Sequence, residues 1–221
     1  MIGGNLTRYY EGDFLVVDTE GEGLNLNSAR PWQVAWAIAS LKDGIKSTHV
    51  TYPFWPDLRV SREAALKTRF DLEYYKKMAS PASSALDLFH QSLYNPTYRV
   101  IAQNALGYDV YVHKNWCQGV GKQPDWIERS LEHSYLSRLI DTNAILKARK
   151  KGWKPDLSSP ENFLSWQYRA IGHVEKGLKT NLEYTGKELK IDHDFGSLHD
   201  AKSDIELTFK IFKKIVYEVD F

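Results

Sequence analysis

The stretch Phe14-Leu-Val-Val-Asp18-Thr-Glu20-Gly-Glu-Gly-Leu24 joins a short apolar run to acidic residues and two glycines. Side chains alternate between the faces of a β-strand, so Asp18 and Glu20 point the same way. Val16 and Val17 belong to a run that is apolar on both faces, which is typical of a strand covered on both sides. The stretch therefore predicts a buried strand that ends in a pair of carboxylates.

This pair of carboxylates has two interpretations. Two like charges about 4 Å apart repel by roughly 4 kcal/mol at an effective dielectric of about 20. Such a pair needs a shared proton, a cationic side chain or a metal ion. An isolated Asp-x-Glu more often marks only a strand end that faces water, so the other segments of the chain have to decide.

The composition indicates one domain over residues 1–221, because 43% of the 221 residues are hydrophobic and 13% are aromatic. The lone Cys117 cannot form an internal disulfide, and residues 1–13 lack the apolar core of a signal peptide. Apolar runs are far shorter than the roughly 20 residues that span a bilayer. We therefore expect a cytoplasmic protein with no membrane segment.

The charges nearly balance, with 29 basic and 28 acidic residues and a net charge of +1. This balance neither requires nor excludes a nucleic-acid partner. A local basic cluster surrounds Trp153, which makes this ring a candidate for stacking on bases. Its members are Lys147, Arg149, Lys150, Lys151 and Lys154. Most clusters of this kind are only solvated faces.

The order of hydrophobic patterns predicts a three-strand meander, then alternating helices and strands, and a closing helix. Strands are expected from residue 14 and over residues 31–40, 45–54, 98–103 and 137–140. Helices are expected from Ser61 to about Phe70, over residues 84–94, from Asn104 past Trp116, and over residues 143–150, 161–170 and 199–218. Residues 71–80 are expected to be irregular, and residues 151–195 a helical insertion that includes a Thr180-Asn-Leu-Glu183 capping box. This order favours an α/β three-layer fold with a mixed five-stranded sheet flanked by helices.

Two further acidic residues stand where strands end and helices begin. Asp109 follows the strand at residues 98–103, and Asp204 lies early in the last helix. These ends gather along the carboxyl edge of an α/β sheet, so Asp109 and Asp204 are expected near Asp18 and Glu20.

Three segments in order resemble the motifs of the DnaQ-like 3′-5′ exonucleases of the DEDDh subclass, and the resemblance covers most of the chain. Asp18-Thr-Glu20 resembles the first motif, Gln103-Asn-Ala-Leu-Gly-Tyr-Asp109 the second, and His199-Asp-Ala-Lys-Ser-Asp204 the third. Leu139-Ile-Asp-Thr142 is similar to the short strand and turn that precede the third motif. The chain departs from the family at Gly21, where threonine is frequent, and at Gln103, where histidine is common.

The resemblance implies an RNase H-like fold and a metal-dependent 3′-5′ exonuclease that releases nucleoside 5′-monophosphates from single-stranded DNA or RNA. It also implies two Mg²⁺ or Mn²⁺ ions, held by Asp18, Glu20, Asp109 and Asp204. His199 would be the general base that takes a proton from the attacking water.

Three residues are weaker candidates for substrate contact. Leu24 resembles a leucine that wedges against a terminal base, although a plain loop or core leucine is an equal alternative. Asn104 is either a substrate contact or, more in keeping with its place before a helix, an N-cap. Trp153 is the candidate stacking ring beside the basic cluster.

The start of the last helix decides the place of His199. Positions five apart on one helix differ by about 140°, so His199 and Asp204 cannot both face one site from within it. We expect Asp200 as the N-cap and His199 before it, although Ser197-Leu-His-Asp200 also reads as a capping box. Asp192, His193 and Asp194 form a possible ligand group that is better explained as a solvated turn.

Two other functions remain open at the level of sequence. The first is a non-catalytic nucleic-acid-binding module on the same fold, against which the intact set of four acidic residues and His199 argues. The second is a phosphohydrolase that uses His199 and Asp200 as paired ligands, and this alternative requires an all-helical fold.

Overall fold

The computed structural model describes residues 12–216. The expectations for the first eleven residues and for the end of the last helix at Glu218 lie outside the described residues. The strands are β1 (Phe14–Gly21), β2 (Pro31–Ser40), β3 (Gly44–Thr51), β4 (Pro53–Phe54), β5 (Ser80–Pro81), β6 (Arg99–Ala102) and β7 (Leu139–Asp141). The helices are α1 (Arg62–Thr68), α2 (Leu72–Met78), α3 (Ala82–Leu93), α4 (Asp109–Gly119), α5 (Asp125–Glu128), α6 (Thr142–Lys151), α7 (Pro160–Gly172), α8 (Leu182–Glu188) and α9 (Ala201–Ile215).

The main sheet has five strands in the order β3-β2-β1-β6-β7. β1, β2 and β3 form an antiparallel meander, while β6 pairs parallel to β1 and β7 pairs parallel to β6. This is the predicted mixed sheet of three meander strands and two parallel strands. It excludes the all-helical fold that the phosphohydrolase alternative required.

β1 lies at the centre of the sheet and is covered on both faces. Phe14 and Val16 belong to one core cluster, in which Phe14 packs edge-on against Phe212 of α9 at 5.2 Å between ring centroids. Leu15 and Val17 face a second cluster that α3 and α4 cover. Alternate residues of β1 thus pack against helices on opposite faces of the sheet. This gives the three-layer arrangement that the sequence predicted.

The region between β3 and β6 differs most from the expectation. β3 ends at Thr51, and residues 53–54 instead pair with β5 in a small parallel sheet. Residues 71–80, expected to be irregular, contain α2, whose N-cap Asp71 accepts a hydrogen bond from the Tyr74 N–H. Tyr75 is the one buried residue of α2. A single buried position in two turns gives no apolar periodicity, which is why the pattern did not reveal this helix.

Two expected helix boundaries also move. α1 ends at Thr68 because Arg69 takes a left-handed conformation, so Phe70 lies beyond the helix. In the insertion, Asn181 rather than Thr180 caps α8 by accepting from the Tyr184 N–H. The assignment of residues 1–221 to a single domain stays a prediction. Within residues 12–216, no helix has the length and apolar character needed to cross a membrane.

Candidate active site

The carboxyl end of β1 meets the first turns of α4 and α9, and this meeting point brings the four predicted acidic residues together. Asp18 and Glu20 lie on one face of β1 and are half-buried. Asp109 is the first residue of α4, and Asp204 lies in the first turn of α9; both are buried. The approach of these helix starts to the strand end follows from the topology of the sheet.

Burial raises the pKa of all four carboxyl groups, and their mutual repulsion contributes to the shifts at β1. The pKa of Asp18 lies well above its usual range because of burial and then the charges of Asp204 and Asp109. The pKa of Glu20 is raised by burial and by the same two neighbours. Burial raises the pKa of Asp109 and of Asp204 to about 7. A set of carboxylates in this state favours protons or cations among its oxygens.

A threonine of the first motif holds Asp109 in place. The Thr19 hydroxyl donates a 2.6 Å hydrogen bond to Asp109 Oδ1. Thr19 is buried, on the strand face opposite to Asp18 and Glu20, which is the face that α4 covers. The middle residue of Asp18-Thr-Glu20 therefore fixes the carboxylate of the second motif.

The loop between β6 and α4 is fixed by Asp141, a fully buried residue at the end of β7. Asp141 Oδ1 accepts from the Asn104 N–H at 2.9 Å, and Oδ2 accepts from the Leu106 N–H at 3.0 Å. Burial raises the pKa of Asp141 to about 6. Asn104 is left-handed, with φ of 62°, and starts a short 3-10 helix without capping it. The expected N-cap at Asn104 is therefore not formed, and its Oδ1 accepts from Asn143 Nδ2 instead.

The departure at Gln103 also has a structural counterpart. Gln103 Nε2 donates to the Thr180 carbonyl at 2.7 Å, and the Thr142 hydroxyl donates to Gln103 Oε1. Thr180 in turn donates to Asn143 Oδ1 at 2.6 Å. Gln103 thus connects the end of β6 to the segment before α8, which lies in the predicted insertion.

His199 lies just before α9, as expected. Asp200 is the N-cap and accepts from the Ser203 N–H, which decides against the alternative capping box. His199 has a φ of 68°, and its backbone N–H donates to Asp204 Oδ1 at 3.2 Å. A ring nitrogen of His199 and carboxylate oxygens of Glu20 and Asp204 lie within 4.8 Å of one another. Burial lowers the pKa of the half-buried His199, and the charge of Lys67 adds to this effect.

Gln33 of β2 holds the start of α9 from the neighbouring strand. Its Nε2 donates to Asp200 Oδ2 at 2.8 Å, and its Oε1 accepts from the Ala201 N–H at 3.1 Å. The side chain therefore pairs with both the N-cap and the first residue of the helix. The sequence marks Gln33 only as a polar residue inside an apolar strand, and its role went unpredicted.

A cleft of about 550 Å³, which α1 borders on one side, is lined by Asp18, Glu20, Asp109 and His199. Leu24 lies on its wall and is 80% exposed. Asn104 also lines the cleft, while Trp153 does not.

Lys67 of α1 lines the cleft as well, and its charge lowers the pKa of Glu20 and of Asp204. Lys67 could not be found from local sequence patterns, because nothing local places α1 beside β1.

Trp153 lies against the hydrophobic core, with its ring edge-on to His173 at 4.9 Å between centroids. Three lysines of the surrounding basic cluster contact protein groups. Lys147 is buried and donates to the carbonyls of Ile171 and His173. Lys150 forms an ion pair with Glu188, and Lys151 forms one with Glu175. Of the Asp192, His193 and Asp194 group, His193 bonds to Ser203 and Asp194 caps a 3-10 turn.

The four carboxyl groups fit hard divalent cations, which prefer oxygen ligands. A cation of this kind would replace the protons that the raised pKa values favour and would relieve the repulsion within the set. The residues that could hold such ions are Asp18, Glu20, Asp109 and Asp204.

The sheet order and its flanking helices define an RNase H-like exonuclease fold. A solved structure of exonuclease I matches 94% of the chain with 16% identity and a TM-score of 0.71. E. coli exonuclease I with a dT13 oligonucleotide matches 93% with 18% identity and a TM-score of 0.69. The zinc-bound E. coli exonuclease I complex with single-stranded DNA matches 94% with 19% identity and a TM-score of 0.69.

The match covers 41% of each of these three solved chains, so the present chain spans about two fifths of their length. No protein-family model matches the sequence, and no curated protein matches it. At these identities the likeness shows the fold, and the function has to be argued from the site.

Proposed function

We propose that the chain is a metal-dependent 3′-5′ exonuclease of the DEDDh kind, which hydrolyses terminal phosphodiesters of single-stranded DNA or RNA to nucleoside 5′-monophosphates. The observation that carries this proposal is the convergence of four carboxylates and His199 at one end of β1. The exonuclease I fold supports it, since solved structures of that enzyme contain single-stranded oligonucleotides.

The four acidic residues would hold two Mg²⁺ or Mn²⁺ ions. Such ions, when bound, lower the pKa of the attacking water and neutralise charge on the phosphate and the leaving oxygen. Thr19 holds the Asp109 carboxylate by its hydrogen bond to Oδ1. Asp141 fixes the loop from which α4 starts.

His199 would take the proton from the attacking water. Its lowered pKa keeps the imidazole neutral at physiological pH, which is the form that accepts a proton. His199 has a left-handed backbone conformation and lies before α9, outside the helix. Its backbone N–H donates to Asp204, so the two residues are adjacent. Gln33 holds this arrangement through Asp200 and Ala201.

The substrate strand would enter along two adjoining cavities. The cleft of about 550 Å³ shares Gly23, Leu24 and Ser61 with a second cavity of about 610 Å³. Arg59 lines the second cavity, where its charge favours a polyanionic backbone, while Arg30 in the same cavity pairs with Glu22 and Asp57. The exposed Leu24 lies at the junction, in a position to contact a terminal base.

The test is digestion of matched 5′-labelled DNA and RNA oligonucleotides with Mg²⁺, with products resolved as a ladder and as free mononucleotides. We expect shortening from the 3′ end by the wild type and none by Asp18→Asn. We expect His199→Gln to slow the reaction by about 10²- to 10⁴-fold. Matched controls are the exposed Asp192→Asn and His133→Gln, which should digest like the wild type.

Persistent digestion by Asp18→Asn would overturn the assignment of the metal site. Tight oligonucleotide binding without turnover in both Mg²⁺ and Mn²⁺ would support the non-catalytic alternative instead. A comparison of DNA and RNA rates in the same assay decides which nucleic acid is the preferred substrate.

A further inference from the structure

Three side chains of types that can ligate metals meet between α3 and α4, apart from the carboxylate cleft. His90 belongs to α3, while His113 and Cys117 lie one turn apart on α4. The two histidine Nε2 atoms are 2.8 Å apart. Cys117 Sγ lies 3.4 Å from His113 Nε2 and 3.8 Å from His90 Nε2. These three residues are called the histidine-cysteine cluster below.

The spacing of these atoms is close to that of zinc ligands. Zinc binds imidazole nitrogen at about 2.0–2.1 Å and thiolate sulfur at about 2.3 Å, so tetrahedral ligand atoms are about 3.3–3.6 Å apart. The point equidistant from the three ligand atoms lies about 2 Å from each of them. A zinc ion would thus require the two nitrogens to separate by only about half an ångström.

The protonation states of the two histidines suit a metal, whereas the protonated thiol opposes its binding. Burial lowers the pKa of His90 to about 4 and lowers that of His113 well below its usual value. Both imidazoles are therefore neutral at physiological pH, which is the form that binds metal. Burial raises the pKa of the Cys117 thiol to about 12, so zinc would displace the thiol proton on binding.

A simple hydrogen-bonded pair explains less of the cluster. A single hydrogen bond between the Nε2 atoms of His90 and His113 satisfies both nitrogens. It gives the Cys117 thiol no role beyond a weak contact with the two rings. With both Nε2 atoms on a metal, the His113 proton moves to Nδ1, which lies 3.4 Å from Tyr135 Oη. An outer partner of this kind orients metal-binding histidines in many proteins.

A buried carboxylate, Asp125, lies near the cluster, and the charges of Arg129 and Arg138 also reach it. Asp125 is 4% exposed, and its Oδ1 has no hydrogen-bond partner among residues 12–216. Its Oδ2 accepts from the Tyr135 N–H at 2.9 Å, and its charge reaches Cys117 and raises the thiol pKa. Zn²⁺ with one thiolate and two neutral imidazoles carries a single positive charge, which Asp125 would balance.

We propose that His90, His113 and Cys117 bind one zinc ion, which joins α3 to α4 and is separate from the carboxylate cleft. His90 is partly exposed, which gives the ion a route from solvent. Asp109, His113 and Cys117 recur at every fourth residue of α4. The ion would therefore stabilise the helix that carries the Asp109 carboxylate.

The test uses the metal-free wild-type protein with excess Mg²⁺, which occupies oxygen sites and leaves thiolates unbound. Titration with Co²⁺ should produce a thiolate-to-cobalt charge-transfer band that saturates at one ion per chain and disappears when Zn²⁺ is added. Cys117 is the single cysteine of the sequence, so this band can arise only there. Absence of the band from the folded wild type would overturn the proposal.

Variants separate this site from the cleft. Cys117→Ser should lose the charge-transfer band, and His90→Gln should bind cobalt more weakly. The control variants His133→Gln and Asp18→Asn should keep the band and the cobalt affinity of the wild type. Zinc at about 100 times its Kd should raise the Tm of the wild type by about 5–10 °C and that of Cys117→Ser by much less. If His90→Gln bound cobalt as the wild type does, the three-ligand site would be refuted.

Discussion

At the scale of single residues, Gly21 and Tyr108 depend on each other. A Cβ added at Gly21 would collide with Tyr108 Oη. This hydroxyl donates to the Gly23 carbonyl at 3.0 Å and so fixes the loop that carries Leu24. Glycine at position 21 and tyrosine at position 108 therefore form a matched pair.

This pairing predicts the outcome of a double-mutant cycle. Gly21→Ala should lower the free energy of unfolding by about 1–3 kcal/mol, since it overpacks a filled site. Tyr108→Phe should remove the collision, so that the double variant is more stable than the sum of the two single effects. Thermal unfolding measures the stability of the two single variants and the double variant. Gly172→Ala is the control, because a Cβ at that position would meet no atom within 4 Å. Strict additivity would contradict the pairing.

At the scale of elements, the start of α9 depends on a side chain of β2. Gln33→Ala removes both hydrogen bonds that hold Asp200 and Ala201. A small displacement of His199 and Asp204 should follow, and kcat should fall by about 10- to 100-fold with little change in KM. Single-turnover digestion of a labelled oligonucleotide measures this effect.

The control for this prediction is Gln118→Ala, at an exposed position near the end of α4. It should leave both parameters unchanged. An unaltered kcat in folded Gln33→Ala would show that α9 is positioned by its core packing alone.

Elements with strong local patterns were predictable from the sequence, and contacts between distant segments were not. β1 and β2 have apolar runs and α9 has a long apolar stripe, so each was placed within a few residues. The acidic residues were found because each follows a strand end or opens a helix. Lys67, Gln33 and the histidine-cysteine cluster reach their partners only through tertiary packing, which leaves no local periodicity to read.

At the scale of the whole molecule, the carboxylate set makes stability depend on pH and on metal. The folded pKa of Asp109 and of Asp204 is about 7, above the usual value of 3.8. Between these values the folded state holds protons that the unfolded state releases, so the free energy of unfolding falls as pH rises. Divalent ions should reverse this loss, because they replace the protons.

Asp18→Asn provides the test, since it removes one charge from the set. With EDTA, the variant should unfold a few degrees above the wild type at pH 8, and this advantage should shrink at pH 5. With Mg²⁺ at pH 8, the wild type should gain more stability than the variant. If the difference in Tm between the two proteins were the same at pH 5 and pH 8, the carboxylates would not interact.

The position of α9 has a consequence for biosynthesis. Asp18 and Glu20 lie in the first strand of the described chain, and Asp204 lies in its last helix, which docks on β1 and β2. A ribosome makes these parts in order, so a nascent chain carries an incomplete metal site until α9 has emerged and docked. We therefore expect the proposed metal site to bind its ions only after α9 has docked on β1 and β2.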